Sequence, residues 1–286
     1  MLSVRHHILF FTLIAAILLG GRPCDAALPE WDGNRPLVIV HSRNMPPLSY
    51  IGTYGEPKGL IVDYWKLWAK VNGLPIKIVL VDWPETLRMI KDGEADIHGG
   101  MFYTKARAQL FSFAPSFVEM DSAVTVRKDS PVKSMDDLKG TAVGVLDRGY
   151  AAQYLSDFYP HIVQKPYIGS AQIVRGALHG EIDAFLTERV TQVHLLGEEG
   201  KLDDFRMLEV LYTREIQPVV SKGNEKMLEV VKRGMDAIPR HELDRTFRRW
   251  TIPSSSIPPW LIVVAAISII ILAGGVLVFM LPSGRR

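Results

Sequence analysis

The chain has a single cysteine, Cys24, in 286 residues. Neither a disulfide framework nor a cysteine-based metal site can be built from it. Its eight histidines are scattered, with no ligand-like pair beyond the adjacent His6 and His7, so no metal and no cofactor is expected. Basic runs and stripes are missing as well. The formal net charge is only +2, which argues against a nucleic-acid partner. What the chain does have is 48% hydrophobic content, over a length sufficient for two modest domains with real cores.

The two ends differ from the middle. Arg5, the apolar run Ile8 to Leu19 and the small residues Cys24 and Ala26 read as an export signal over residues 1–26, cut before Ala27. Near the other end, Leu261 to Leu281 is apolar apart from Ser268. At ~1.5 Å per residue such a run matches a ~30 Å hydrocarbon core. With Trp260 at one interface and Arg285 and Arg286 at the other, residues 260–281 read as a transmembrane helix. Residues 251–259, rich in serine and proline, would be a tether, and residues 282–286 a cytoplasmic tail. The expectation is an exported module anchored in the inner membrane by its C-terminal helix.

Between the ends, the stretch Gly93 to Arg107 organises the chain. It reads as a helix stop at Gly93, a short strand from Ala95 to His98, a glycine-opened loop, and a new helix at Thr104 with Arg107 in its first turn. In open α/β sheets, ligands bind beyond the carboxyl ends of the strands. Arg107 is thus a guanidinium placed where an anion would sit, and Thr104 opens its helix. The pattern returns at Gly180 to Glu188, this time ending on an acid. Two halves of one design with opposite charges would clamp a zwitterion.

The remaining elements alternate. Pro36 to His41 is a buried-type strand, and Leu60 to Val71 has apolar residues at helical spacing, with Trp65 and Trp68 read as core. Ile76 to Val81 is the next strand, and Pro84 opens a helix closed by Gly93. Two β-α-β steps in a row imply a parallel sheet with right-handed crossovers. Ala123 to Arg127 is read as a first crossing into a second lobe, and Arg206 to Tyr212 and Pro218 to Lys222 as the return. The expected organisation is lobe 1 over residues 27–122, lobe 2 over 123–212 and a return to lobe 1 over 213–250. Asp96 and Asp183, at the strand starts of the two echoes, read as structural, and His98 as a strand residue with its partners satisfied.

Several motifs in order now carry a resemblance: Pro46-Pro47-Leu48-Ser49-Tyr50, Gly59 to Asp63, Trp83 with Leu87 and Ile90, Gly93 to Asp96, Thr104 to Arg107, and Phe111 to Pro115. Together they resemble the family 3 extracellular solute-binding proteins, over about Leu37 to Trp250. The resemblance implies a two-lobed α/β periplasmic-binding-protein fold of type II, each lobe a small mixed sheet flanked by helices. It implies hinged binding of an amino-acid-like or carboxylate solute, for uptake with a permease partner or as the sensory input of a kinase or cyclase. Arg107 would hold an α-carboxylate, Trp83 would cover the ligand, Glu188 would take an α-ammonium, and the positions around Gly100 and Met101 would offer backbone groups. Arg148 and Tyr150 stand as further ligand contacts in the second lobe.

Departures from the family pattern bear on the ligand. No acid precedes the Pro-Pro region near Ser42, the second-lobe helix opens on Arg148-Gly149-Tyr150, and the first loop reads Gly99-Gly100-Met101-Phe102. These move the reading away from an ordinary basic amino acid and toward the sensor branch. An acid opening a helix is also favoured by the macrodipole whatever its function, so Glu188 has a structural reading too. The rival from another class is an enzyme resembling cyclohexadienyl dehydratases, with Glu188 as the acid. No paired base accompanies it, and the expectation is a binding protein.

Overall fold

The computed structural model describes residues 31–251 together with 267 and 268. Twelve strands and eight helices are defined among these residues. The first half runs β1 (Leu37–Ser42), β2 (Asn44–Met45), β3 (Ser49–Ile51), β4 (Pro57–Lys58), α1 (Leu60–Asn72), β5 (Ile76–Val81), α2 (Trp83–Lys91), β6 (Ile97–Phe102), α3 (Lys105–Leu110) and β7 (Phe111–Phe113). The long β8 (Val118–Arg127) leads into β9 (Ala142–Leu146), α4 (Tyr150–Phe158), β10 (Val163–Tyr167), α5 (Ser170–Leu178), β11 (Ala184–Glu188) and α6 (Arg189–Glu198). Then β12 (Phe205–Ser221) returns, followed by α7 (Glu225–Asp236) and α8 (Arg240–Thr251).

Two parallel three-stranded groups, β5-β1-β6 and β10-β9-β11, are joined by the antiparallel pair β8 and β12. The two lobe sheets are therefore one hydrogen-bonded path in the order β10-β9-β11-β8-β12-β6-β1-β5, with β7 beside β12. The return crossing expected as two strands is one strand of 17 residues. It stays continuous because Thr213 to Ile216 pair with Asp121 to Val118, bridging the gap between the two segments read from the sequence. The register shifts twice in this ladder, between Met207 and Glu209 and between Val210 and Tyr212. Such irregularities bend a strand, and here they lie where the chain passes between lobes.

The first-lobe core forms on the apolar face of α1, where Tyr64, Trp65 and Trp68 are each at most 1% exposed. Helix α7 approaches so closely that a Cβ on Gly234 would stand 2.3 Å from Trp68 Nε1. The indole N–H donates to Val231 O at 3.3 Å, and Asn72 donates to Gly234 O at 3.0 Å. Asp96 ties the start of β1 to that of β6: its carboxylate accepts from both Arg35 Nη groups, at 2.6 and 2.7 Å, and from Val38 N–H at 2.8 Å. Its echo Asp183 is exposed, so the two aspartates do not play one structural role.

One part of the expected architecture is corrected. Among the described residues no helix is long and apolar enough to cross a membrane. The last described helix, α8, carries Arg240, Arg245, Arg248 and Arg249 with Glu242 and Asp244, and such charges are costly inside a bilayer. Among the described residues the fold is the two-lobed α/β architecture, with no transmembrane helix. The leader read at residues 1–26 and, apart from Ile267 and Ser268, the span read at 260–281 lie outside the described residues. By its contacts the chain forms two units, residues 1–247 and 248–286; both lobes belong to the first.

Candidate functional site

One cavity draws its wall from both lobes. The first lobe supplies Trp83 from the first turn of α2, Gly100, Met101 and Phe102 from β6, and Arg107 from α3. The second supplies Leu146 at the end of β9, Gly149 and Tyr150 at the start of α4, and Glu188 at the end of β11. All these positions lie at or just beyond strand ends, or in the first turns of the helices that follow, where open α/β sheets bind ligands. The space between its walls is about 380 Å³ with the open mouth included. Only a small part of that space is clear of the wall atoms. The walls stand close together.

Arg107 is positioned by the cap of its own helix. The Thr104 hydroxyl accepts the Arg107 backbone N–H at 3.1 Å. The guanidinium then donates Nη1–H to Phe102 O at 2.8 Å and Nη2–H to Arg148 O at 3.1 Å, and lies 5.5 Å from the Trp83 ring centre. No carboxylate forms an ion pair with it among the described residues. Burial, offset in part by Tyr212 and Tyr150, brings its pKa down to about 10, so it is still a cation at neutral pH.

Glu188 is the last residue of β11 and the N-cap of α6. Thr187 Oγ1 donates to its Oε2 at 2.7 Å. Burial pushes its pKa up, opposed by that bond and by its own backbone N–H. Among the described residues it too has no ion-pair partner. The cavity wall thus holds one unpaired cation and one unpaired acid from different lobes, each kept there against the cost of burying charge.

Trp83 is 5% exposed, and its indole N–H donates to Arg148 O at 3.3 Å. Arg148 has φ 53°, making it the only non-glycine residue with positive φ among the described residues. That left-handed conformation is disfavoured for a side chain of this size. Its carbonyl accepts from two first-lobe groups, Trp83 and Arg107, whereas its side chain lines outer pockets rather than the cavity. Tyr150 sets its ring edge-on to Phe102 at 5.6 Å and to Tyr212 at 4.9 Å, and its hydroxyl accepts from Arg214 Nε at 2.9 Å.

Of the residues singled out from the sequence, Arg107, Glu188, Trp83, Gly100, Met101 and Tyr150 line the cavity; Thr104 and Arg148 do not. The Thr104 hydroxyl is engaged as a helix cap. Gly100 and Met101 belong to strand β6, not to a loop. Side chains occupy the space beside the two glycines: a Cβ on Gly99 would meet His41, Ile61 and Trp65 at 3.2 Å, and one on Gly100 would meet Ile216 at 2.4 Å. The Gly100 backbone is already engaged, its N–H donating to His98 Nδ1 at 3.1 Å and its carbonyl facing His41 Nε2 at 3.0 Å.

Sequence reasoning missed His41 and Phe102 in the wall. His41 is nearly the last residue of β1, and its place at a carboxyl strand end was the available signal. It and His98 are 3% and 0% exposed, with ring centres 5.1 Å apart. Because Gly100 N–H donates to His98 Nδ1, the other nitrogen carries the proton and donates to Thr86 Oγ1 at 3.1 Å; that hydroxyl in turn donates to Trp83 O at 2.7 Å. This chain of bonds fixes the turn that presents Trp83.

Comparisons with known proteins agree with this fold. A family model described as bacterial extracellular solute-binding proteins, family 3, matches residues 37–253. The virulence sensor protein BvgS of Bordetella pertussis is 24% identical over 227 residues, covering 77% of this chain and 18% of that protein. The chain therefore spans less than a fifth of the sensor's length. A probable histidine-binding protein of Neisseria gonorrhoeae is 22% identical over 245 residues, covering 83% of this chain and 91% of the relative. Among solved structures, a histidine kinase sensor domain with similarity to periplasmic binding proteins aligns with TM-score 0.72 at 22% identity, covering 78% of this chain and 98% of that one. At that identity the likeness shows the fold.

Proposed function

The chain belongs to family 3 of the bacterial extracellular solute-binding proteins, and from that premise we propose that it closes its two lobes around a small amino-acid-like solute. The observation that carries this reading is the unpaired cation and unpaired acid, Arg107 and Glu188, in one small cavity between the lobes. The Arg107 fork suits a carboxylate bound through two parallel N–H···O bonds. Glu188 suits an ammonium, and the Trp83 face suits either a cation or an apolar group. Hydrogen bonds to charged groups contribute ~1.5–3 kcal/mol each, and micromolar affinity needs about 8 kcal/mol, so several such contacts have to act together. Tyr150 and the wall around Met101 supply the remainder.

Binding works through the hinge. A solute that touches both lobes is bound better by the closed arrangement, and that differential affinity drives closure. Arg107 must exchange its bond to Arg148 O for the solute, which ties recognition to the lobe contact itself. Similarity to BvgS and to a kinase sensor domain supports a role as sensory input to a signalling partner; similarity to a probable histidine-binding protein supports delivery to uptake.

A thermal-shift screen of the full chain against amino acids and small organic acids tests the reading. A ligand that binds only the native state raises the melting point. At 100 times its Kd the stabilisation is about 2.7 kcal/mol, a shift of roughly 5–10 °C for a protein of this size. The shift should disappear in Arg107→Ala. A screen in which no amino acid or organic acid moves the transition contradicts the proposal.

A further inference from the structure

Away from Arg107 and Glu188, much of the cavity wall is hydrocarbon and thioether. Met45 comes from the short β2 strand, Leu48 from the bend before β3, Ile61 from α1, Met101 from β6 and Ile216 from β12. None is more than 5% exposed. The polar groups that share this wall are already engaged. The two nitrogens of His41 face Ser49 Oγ and Gly100 O, the Trp83 indole donates to Arg148 O, and the Tyr150 hydroxyl accepts from Arg214 Nε. Among the described residues no third charged group lines the cavity.

On the footing of the amino-acid reading above, we propose that the solute is an α-amino acid with an uncharged apolar side chain, aliphatic or thioether. Its backbone ends would occupy Arg107 and Glu188, and its side chain would rest on Met45, Leu48, Ile61, Met101 and Ile216. Once the α-carboxylate and α-ammonium have taken the two charged groups, nothing remains to pair a side-chain charge. The guanidinium of arginine or the distal carboxylate of glutamate would lie desolvated against sulfur and methyl groups. An unpaired buried charge is strongly unfavourable, so the same wall that accepts leucine rejects its charged counterparts.

Calorimetric titration of the full chain with L-leucine, L-methionine, glycine, L-arginine and L-glutamate tests this. Leucine or methionine should bind at least tenfold tighter than arginine and glutamate, a difference of about 1.4 kcal/mol, and tighter than glycine. If arginine or glutamate binds as well as leucine, the apolar assignment is overturned while the carboxylate–ammonium clamp stands. The same holds if glycine equals leucine. If none of the amino acids binds, the clamp reading falls together with it. As a second arm, Met45→Glu places an acid in the wall and should shift the leucine-to-arginine preference tenfold or more toward arginine. An unchanged ratio in a folded variant would show that this wall does not read the side chain.

Discussion

The buried histidines make stability depend on pH in a window that can be calculated. His41 faces Ser49, the Gly100 carbonyl, the ring of His98 and the edge of Trp83, and burial holds its pKa down to about 4 from 6.5. Its bonds to Gly100 and Ser42 oppose that shift only in part. The folded-state pKa is depressed, so the unfolded chain takes up the proton first as pH falls. Stability from this group is present above about pH 6.5 and is lost as pH drops toward 4. Linkage gives a loss of about 2 kcal/mol by pH 5 and about 3 kcal/mol by pH 4, the latter worth roughly 6–12 °C in Tm. His98, whose pKa is lowered by burial first, then by His41 and Arg107, adds a loss of the same sign. The assay is urea denaturation at several pH values for the parent and for His41→Gln. The amide can donate at one end and accept at the other but does not titrate. Glu56, Glu85 and Glu181, whose partners lower their pKa values, and Glu188, whose burial raises its own, are common to both proteins and cancel in the difference. The variant's stability should therefore fall less between pH 6.5 and 4, by about 3 kcal/mol, whatever glutamine costs at neutral pH. Parallel curves for the two proteins would refute the reasoning.

Other perturbations follow from particular contacts. Asp96→Asn breaks the two-bond pairing with Arg35 and should lower stability by about 3 kcal/mol, read as a lower urea midpoint; an unchanged midpoint would deny Asp96 its structural role. Gly234→Ala drives a methyl group into the Trp68 indole and should cost about 1–3 kcal/mol, with a change in tryptophan emission as the local readout. Thr104→Ala should cost about 1 kcal/mol through loss of the α3 cap, and Thr104→Ser should restore it; a thermal melt of the three proteins decides.

How much of this was legible beforehand depended on whether a segment's apolar pattern was local. Helix α1 was legible because its burial follows a simple helical period, and strand β5 because Ile76 to Val81 is a mostly β-branched apolar run. Helix α6 was legible only at its start on Glu188, because its buried face includes Thr191 and Gln192 as well as Leu196. Gln192 is held inside by bonds to Ala123 O and Thr187 O, a long-range satisfaction that no local window reveals. Strand β6 was cut short at His98 because two glycines signal a turn. Tertiary neighbours instead fill the space where their side chains would be and keep them extended. At the site, Arg107 and Glu188 were legible as charges closing two copies of one pattern. The engagement of Thr104 as a cap, and of Arg148 through its carbonyl, depends on backbone geometry that residue identity does not carry.

The central claim is a division of labour: Arg107 for the carboxylate, Glu188 for the ammonium. Its most direct test titrates the parent, Arg107→Ala and Glu188→Gln with L-leucine and with 4-methylpentanoate, which keeps the carboxylate but has no amino group. The account predicts that Arg107→Ala weakens both ligands beyond detection, and that Glu188→Gln weakens leucine by roughly 10- to 150-fold, as expected for ~1.5–3 kcal/mol, while leaving 4-methylpentanoate nearly unchanged. Binding of leucine by Arg107→Ala at parental strength, or equal loss of both ligands in Glu188→Gln, would contradict it.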